Sequence, residues 1–221
     1  MRQVLLLALA LAPQTLQAQR PAARDTTVPQ FAHHIDEVAA AADLMPLRSP
    51  SAIGDAQREI RLWSGFGVYA PQDLVRIVVR DDQVEGMHLL WWHPSAPEDE
   101  AEAERESSLV SNRELYENLR HRYGCGPRQV RGDYEYCVAT RLRIGTWADF
   151  LKRLDSLQVA TLPDGWDLKR GFDGTSLVVE VRNGTRYRTY AYWTPMAGDS
   201  APQSRQAAEI LRMMHAAGTR E

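Results

Sequence analysis

The chain has 221 residues, of which 44% are hydrophobic and 25% are charged, and its formal net charge is -3. This composition is typical of a globular protein, and it excludes a collagen-like, a disulfide-dense or a wholly disordered chain. The 26 Lys and Arg residues against 29 Asp and Glu residues leave no overall positive field, so we expect no nucleic-acid partner.

Residues 1–18 have the pattern of a secretory signal peptide. Met1-Arg2-Gln3 is a short positive start, residues 4–12 are an unbroken apolar run, and Ala18 supplies a small residue for cleavage. This run is shorter than the about 20 apolar residues that cross a bilayer, and no later segment is apolar for long enough. We therefore expect an exported protein, periplasmic or extracellular, with no membrane span. A buried N-terminal helix is the alternative.

The chain has two cysteines, Cys125 and Cys137. Glycine and proline around Cys125 indicate a tight turn, whereas Cys137 lies in a strand-like run. An even number of cysteines in an oxidising compartment favours a disulfide bond between them. The sequence carries neither a C-x-x-C redox motif nor the further ligands that a zinc site would need.

Residues 19–30 contain two prolines among small polar residues and are predicted to be a flexible linker. We expect residues 31–221 to form a single α+β domain, in which antiparallel β-hairpins form a sheet packed by amphipathic helices. The expected helices cover 31–43, 98–123, 146–157 and 203–217. The expected strands cover 58–65, 74–80, 84–92, 134–143, 177–182 and 185–193, with a further strand near 166–168.

The two hairpins resemble each other in sequence. Asn183-Gly184 marks the second hairpin most clearly, because a type I′ turn needs positive φ at both central residues. Residues 89–94 and 190–195 are both rich in aromatic residues and both end in proline. One explanation is a duplication that produced two similar αβββα-like halves, 31–123 and 146–218, and the other is coincidence. The sequence leaves both open.

Motifs of known chemistry are missing. Residues 65–70 match the glycine spacing of a dinucleotide-binding loop, but a proline and a strand follow where a helix is required. The chain has no G-x-S-x-G, S-x-x-K or H-E-x-x-H motif, and Ser64 has no nucleophile motif around it. We therefore predict no cofactor. Whether the protein is an enzyme stays open, with the balance against one.

The six histidines do not predict a metal site. His33 and Glu37 share a helical face, which supplies two ligands where zinc needs at least three from the protein. His88 and His93 are five positions apart on a strand and therefore face opposite sides of a sheet. The acidic run 98–106 is interpreted as the solvated first turns of a helix rather than as a calcium site.

The second hairpin concentrates arginine and tyrosine. The residues concerned are Arg182, Arg186, Arg188, Tyr190 and Tyr192. Strand alternation puts the last four on one face. Forked guanidinium donors and flat aromatic rings suit an anion, a glycan or another protein. A solvent-facing strand whose arginine stems cover neighbouring rings is the alternative.

The absence of a catalytic motif and the presence of this hairpin face together predict a non-catalytic binding or interaction module. The competing hypothesis is a secreted hydrolase with a dispersed active site. A pocket that holds a histidine near a carboxylate or a serine would favour the hydrolase. Exposed Tyr and Arg strands without a pocket would favour the binding module.

Overall fold

The computed structural model has a seven-stranded antiparallel sheet at its centre. It describes residues 29–65, 72–92, 112–132, 134–142, 145–168 and 175–218. The strands are β1 Arg58–Ser64, β2 Gln72–Arg80, β3 Gln83–Trp92, β4 Gln129–Arg131, β5 Tyr134–Ala139, β6 Ser176–Asn183 and β7 Arg186–Trp193. The helices are α1 Pro29–Ala41, α2 Asn112–Tyr123, α3 Trp147–Ser156 and α4 Pro202–Gly218, and a 3-10 helix covers Trp166–Leu168.

The strand order is β4-β5-β3-β2-β1-β6-β7, so the two predicted hairpins lie on either side of β1. β1 pairs with β2 and with β6, antiparallel in both cases. The predicted α+β class, with antiparallel hairpins packed by helices, is confirmed. The division into two similar halves stays a prediction. The offset that aligns the aromatic runs does not align the two turns, at Asp81-Asp82 and at Gly184-Thr185.

Three local predictions differ from the structure. The second turn comes one residue later than predicted, because Asn183 still pairs with Arg186. Gly184 has a φ of 54° but Thr185 is not in the positive-φ region, so this is not a type I′ turn. Residues Trp166–Leu168 form a 3-10 helix rather than a strand. The sequence also gives no signal for β4, because three residues are too few for an alternating pattern.

Helices cover both faces of the sheet. On one face, called here the α4 face, Ile210 of α4 and Leu154 of α3 pack in the same cluster as Ile60 of β1. On the opposite face, called here the α1 face, Val38 of α1 packs with Trp63. β1 is therefore buried on both sides along nearly its whole length.

A disulfide bond ties α2 to the sheet. Cys125 follows α2 and Cys137 lies in β5, and their Cα atoms are 5.5 Å apart. Leu119 of α2 packs with both cysteines and with Leu90 of β3. The disulfide predicted from the even cysteine count is present.

A capping box sets the start of α3, close to the predicted helix start at residue 146. The Thr146 hydroxyl accepts from the backbone N–H of Asp149, and the Asp149 carboxylate accepts from the backbone N–H of Thr146. This cap holds Trp147, the first residue of α3, with its ring against Gly86 of β3. The Trp147 indole N–H donates to the carbonyl of Thr140, 3.0 Å away.

Several sequence predictions lie outside the described residues. They are the signal peptide, the linker up to residue 28, residues 66–70 of the glycine pattern, His93 and the acidic run 98–106. Residues 29 and 30 of the predicted linker already belong to α1. Within the described ranges, no helix combines the length and the apolar character needed to cross a membrane.

Gly86→Ala is expected to lower the free energy of unfolding by about 1–3 kcal/mol, because overpacking has this cost and the new Cβ would lie 2.3 Å from the Trp147 ring. Gly198→Ala is the matched control, since a Cβ added there meets no atom within 4 Å. Urea denaturation of both variants measures the difference. Equal stabilities would show that Trp147 does not pack over Gly86.

Replacing both cysteines by alanine is expected to lower the free energy of unfolding by about 3 kcal/mol, because the unfolded chain loses a closed loop. Denaturation of the double variant and of the oxidised parent protein measures this. Alkylation of unreduced protein followed by intact-mass measurement checks the bond itself. Two alkylated thiols in that sample would contradict the disulfide.

Candidate functional site

The second hairpin does not present the exposed face that its sequence predicts. Arg182 is 3% exposed, and Tyr190 and Tyr192 are each 1% exposed. Arg188 is half-buried, which leaves Arg186 as the exposed member of the five predicted binding residues. The expectation of exposure is wrong because both faces of this hairpin are covered by other parts of the chain.

The predicted alternation is correct, and it brings three of these side chains to one segment, residues 159–163. Arg188 donates to the carbonyls of Ala160 and Leu162. The Tyr190 hydroxyl donates to the carbonyl of Val159 at 2.7 Å, and that of Tyr192 to Pro163 at 2.6 Å. Burial raises the pKa of Tyr192 to about 12, so its hydroxyl stays a neutral donor. These residues anchor the segment that follows α3.

Arg182 points to the opposite face, where it also holds a loop. Its Nε donates to the carbonyl of Leu47 at 2.7 Å, and its Nη2 donates to the carbonyl of Arg48. Its guanidinium lies 5.7 Å from the Tyr187 ring centroid. Arg182 and Arg188 of the hairpin therefore bind backbone carbonyls of this chain.

A buried ion network lies on the α1 face of the sheet. Glu59 is fully buried and accepts from Arg61 at 2.7 Å and from Arg76 at 2.7 and 2.8 Å. Burial alone would raise the pKa of Glu59. The hydrogen bond from Arg76 and the charge of Arg61 outweigh burial and hold that pKa below its ordinary value. Glu59 is therefore an ionised carboxylate shared by two arginines.

Glu180 lies across from Arg61 in the neighbouring strand. Its carboxylate accepts from the Trp63 indole N–H and from the Tyr187 hydroxyl, both at 2.8 Å. Burial raises the pKa of Glu180, although the charge of Arg61 opposes this. The network joins β1, β2, β6 and β7, and its two carboxylates and Arg61 are buried while Arg76 is partly exposed, so we interpret its role as structural.

A second polar cluster lies on the α4 face and brings together a serine, a carboxylate and a histidine. His88 Nε2 lies 2.9 Å from Asp73 Oδ1, and the Ser64 hydroxyl donates to Asp73 Oδ2 at 3.3 Å. Ser64, Asp73 and His88 are all buried. We call these three residues the Asp73 cluster. His88 Nδ1 is buried and has no hydrogen-bond partner among the described residues.

Two helices close over the Asp73 cluster. Tyr123 of α2 packs edge-on against the His88 ring, with 5.4 Å between ring centroids. Burial, and to a lesser extent the charge of Asp73, raise the pKa of Tyr123. His215 of α4 places Nε2 3.8 Å from Asp73 Oδ2, while about half of its own side chain is exposed. His215 therefore connects the buried cluster to the surface.

The Asp73 cluster is not arranged as a nucleophilic triad. In such a triad the histidine accepts the proton of the serine hydroxyl, and the carboxylate binds the far nitrogen of the histidine. Here the Ser64 hydroxyl is directed at the carboxylate, and Ser64 is fully buried. The described geometry therefore leaves Ser64 without a general base and without access to a substrate.

A surface hollow of about 390 Å³ opens beside His215. It lies between α4 and the segment that follows β7. Its lining residues are Pro195, Ala197, Arg205, Ala208, Glu209, Leu211, Arg212 and His215. We call it the α4 hollow, and it combines an apolar wall with two guanidinium groups and one carboxylate.

Another hollow, of about 520 Å³, lies at the start of α3. It is lined by residues 82–84 at the β2–β3 turn, residues 140–142 after β5 and residues 145–148 at the start of α3. The Thr146 hydroxyl and the Trp147 indole N–H already have local partners in Asp149 and Thr140. Its charged lining is one carboxylate, that of Asp82, and one guanidinium, that of Arg141, so neither sign of charge is in excess.

Among the described residues, no group of three or more His, Cys, Asp or Glu side chains is placed to hold a metal ion. The expected shared helical face of His33 and Glu37 is present, with a distance of 3.3 Å between His33 Nε2 and Glu37 Oε1. Both of these side chains are largely exposed.

Comparison of the chain with protein families, with curated proteins and with solved structures finds no match. The functional argument therefore rests on the residues of this chain.

Sequence reasoning missed the pairing of Asp73 with His88, although a signal for it exists. The two-residue turn after Arg80 sets the register of β2 and β3, so Val75 pairs with His88 and Asp73 pairs with Leu90. Asp73 and His88 are then diagonal neighbours on one face. His215 carries no such signal, because only the packing of α4 brings it to Asp73.

Glu59→Gln is expected to lower the free energy of unfolding by about 3 kcal/mol at pH 7, because it removes the buried carboxylate to which Arg61 and Arg76 both donate. Folding lowers the pKa of Glu59, so its stabilisation is complete above the ordinary carboxyl value of about 4.3 and is lost as the pH falls through the lower folded value. The difference in the free energy of unfolding between the parent protein and Glu59→Gln should therefore become smaller below about pH 4.

Urea denaturation at several pH values tests this prediction. Glu85→Gln is the control, since Glu85 is exposed and pairs with Arg80 at the surface. A difference in the free energy of unfolding between the parent and Glu59→Gln that stays constant down to low pH would contradict an ionised Glu59.

Proposed function

We propose that this chain is an exported, non-catalytic binding protein whose ligand surface is the α4 hollow. One observation carries the proposal: His215 and two arginines meet an apolar wall at the surface, beside the buried Asp73 cluster. Ligand sites combine a mainly apolar lining with a few convergent polar groups, and their volumes run from roughly 300 to 1,000 Å³. The α4 hollow fits this description.

Export is part of the proposal. The disulfide bond is compatible with an oxidising compartment, where such bonds form and persist. The signal-peptide pattern of residues 1–18 supports the same destination. Periplasmic and extracellular locations are both consistent with these observations.

We keep the binding role predicted from the sequence, but we assign it to the α4 hollow instead of the second hairpin. Four of the five hairpin residues are engaged inside the fold, so an incoming ligand would have to displace them from backbone carbonyls. Arg186 is exposed and supplies the direct test of the original surface. The arginines of the α4 hollow also have partners, since Arg205 donates to the carbonyls of Asp199 and Ser200 at 2.8 Å and Arg212 donates to Glu209 at 2.7 Å, but both arginines are exposed.

The hydrolase hypothesis has one observation in its favour, the meeting of Ser64, Asp73 and His88. The hydroxyl of Ser64 is directed at the carboxylate instead of the imidazole, which argues against acyl transfer through this serine. A binding protein therefore fits the described geometry better.

Protein-observed NMR with a library of small anionic, cationic and neutral organic molecules tests the proposal. We expect the binding molecules to shift the signals of Leu211, Arg212 and His215, because these residues line the α4 hollow. Leu211→Asp should weaken that binding at least tenfold, whereas Arg186→Ala should leave it unchanged.

Two results would overturn the proposed function. One is loss of binding in Arg186→Ala with no effect of Leu211→Asp, which would return the site to the hairpin. The other is turnover of chromogenic esters, phosphoesters or glycosides that disappears in His88→Ala, which would support the hydrolase.

A further inference from the structure

We infer that Asn183 is an acceptor site for N-linked glycosylation when the chain is exported through a compartment that holds an oligosaccharyltransferase. This inference rests on the export part of the proposed function and goes beyond its binding part. Two observations carry it, namely the sequence at the tip of the second hairpin and the exposure of that tip in the fold.

The residues Asn183-Gly184-Thr185 form a sequon for N-linked glycosylation. The motif is an asparagine followed two positions later by serine or threonine, with any residue except proline between them. The chain has two other asparagines. Two positions after Asn112 it has Glu114, and neither of these supplies a hydroxyl. Two positions after Asn118 it has Arg120. The chain therefore offers a single acceptor.

The structure places this sequon where an enzyme can reach it. Residues 183–186 are all exposed at the tip of the second hairpin, whereas Arg182, directly before them, is 3% exposed. A Cβ added to Gly184 would meet no atom within 4 Å, so the space around the turn is open. A surface turn in an exported protein is the structural context in which this motif is modified.

The backbone of the turn is held in place while its side chains are exposed. Asn183 pairs with Arg186 of β7 and with Arg58 of β1. The backbone N–H of Gly184 donates to the carbonyl of Gln57, 2.9 Å away. The Asn183 side chain therefore projects from a fixed position. A sugar attached to an exposed side chain replaces contacts with water, so the fold does not have to change to accept it.

The register of β6 sets the direction in which a glycan would extend. Strand alternation puts Asn183 on the α4 face, two positions after Val181, which is buried in the core of that face. Arg58 lies opposite Asn183 and donates to Asp155 of α3 at 2.7 Å. The glycan would therefore leave the sheet near the C-terminal end of α3, which ends at Ser156.

The sequon is remote from the α4 hollow. Asn183 pairs with the first residue of β7, whereas Pro195, which lines the hollow, comes two positions after the last residue of β7. Eight residues of extended strand span roughly 25 Å. A glycan at the hairpin tip would lie beside Arg186 and leave the α4 hollow open.

The modification transfers an oligosaccharide from a lipid-linked pyrophosphate donor. The side-chain Nδ2 of Asn183 attacks the anomeric carbon of the first sugar and forms the new N–C bond. The C–O bond between that carbon and the pyrophosphate breaks, and the lipid pyrophosphate leaves with the electron pair. Nδ2 gives up one of its two protons to a base of the transferase. The hydroxyl of Thr185 completes the motif that the transferase recognises.

Secretion of the full chain, with its own residues 1–18, from cultured animal cells tests the inference. We expect peptide-N-glycosidase to lower the mass of the secreted protein, and peptide mass spectrometry to find the glycan on Asn183 in most molecules. Release of the glycan in isotopically labelled water marks the site, because the glycosidase converts the glycosylated asparagine to labelled aspartate. Aspartate formed earlier by spontaneous deamidation carries no label.

Variants assign the glycan to the sequon. Asn183→Gln removes the acceptor and Thr185→Ala removes only the hydroxyl, so we expect both to be secreted with at least a tenfold loss of glycan occupancy. Thr185→Ser keeps a hydroxyl and should keep the glycan. Asn118→Gln is the matched control, because it removes an exposed asparagine that lies outside the sequon. Thermal unfolding of each secreted variant verifies that it folds.

Two results would overturn the inference. One is secreted parent protein that carries no glycan on Asn183, and the other is Thr185→Ala that carries as much glycan as the parent. A second form of the chain, behind a leader from another protein, separates export from modification. If only this form is secreted and it carries the glycan, the acceptor site stands and the proposed export fails. If both forms are secreted without a glycan, the export stands and the acceptor site fails.

Discussion

The burial of β1 on both faces is the constraint from which the polar organisation of this protein follows. β1 lies between the two hairpins of the sheet, and helices cover it from both sides, so none of its polar side chains beyond Arg58 can reach water. Burying an unpaired charge costs several kcal/mol, so each such group has to be given a partner inside the sheet. Glu59 and Arg61 therefore form a network with Arg76 on the α1 face, and Ser64 joins Asp73 on the α4 face.

The same two-sided cover changes what the second hairpin does. A strand with arginine and tyrosine on alternate positions is typical of a solvent-facing or ligand-binding surface. Here α3 and the segment after it lie over that face, and the long side chains bind carbonyls of that segment instead. Arg188, Tyr190 and Tyr192, which the sequence suggests as a recognition surface, instead hold the segment after α3 through hydrogen bonds. The side chains that could bind a ligand at the surface therefore lie on the helices that cover the sheet, and above all on α4.

The candidate site could be predicted from the sequence in part. The pairing of Asp73 with His88 follows from the turn after Arg80 once the register is counted, because antiparallel pairing makes each partner a fixed distance from the turn. The α4 hollow could not be predicted in this way. It depends on the packing of α4 against the segment after β7, and His215 reaches Asp73 only because α4 packs on this face of the sheet. The contact between His215 and Asp73 joins residues more than a hundred positions apart and leaves no local pattern.

Local sequence determined the elements of this protein. Alternation predicted the two hairpins, and the pair Thr146 and Asp149 predicted the start of α3. The even number of cysteines indicated the bond between Cys125 and Cys137. Each of these features depends on residues that are close together in the chain. Tertiary structure alone decided which faces are exposed. An alternating pattern in a strand indicates that its two faces differ, but it does not indicate whether helices cover one face or both. That depends on where distant helices pack, and here their packing made Arg188, Tyr190 and Tyr192 internal while it left Arg205, Arg212 and His215 at the surface.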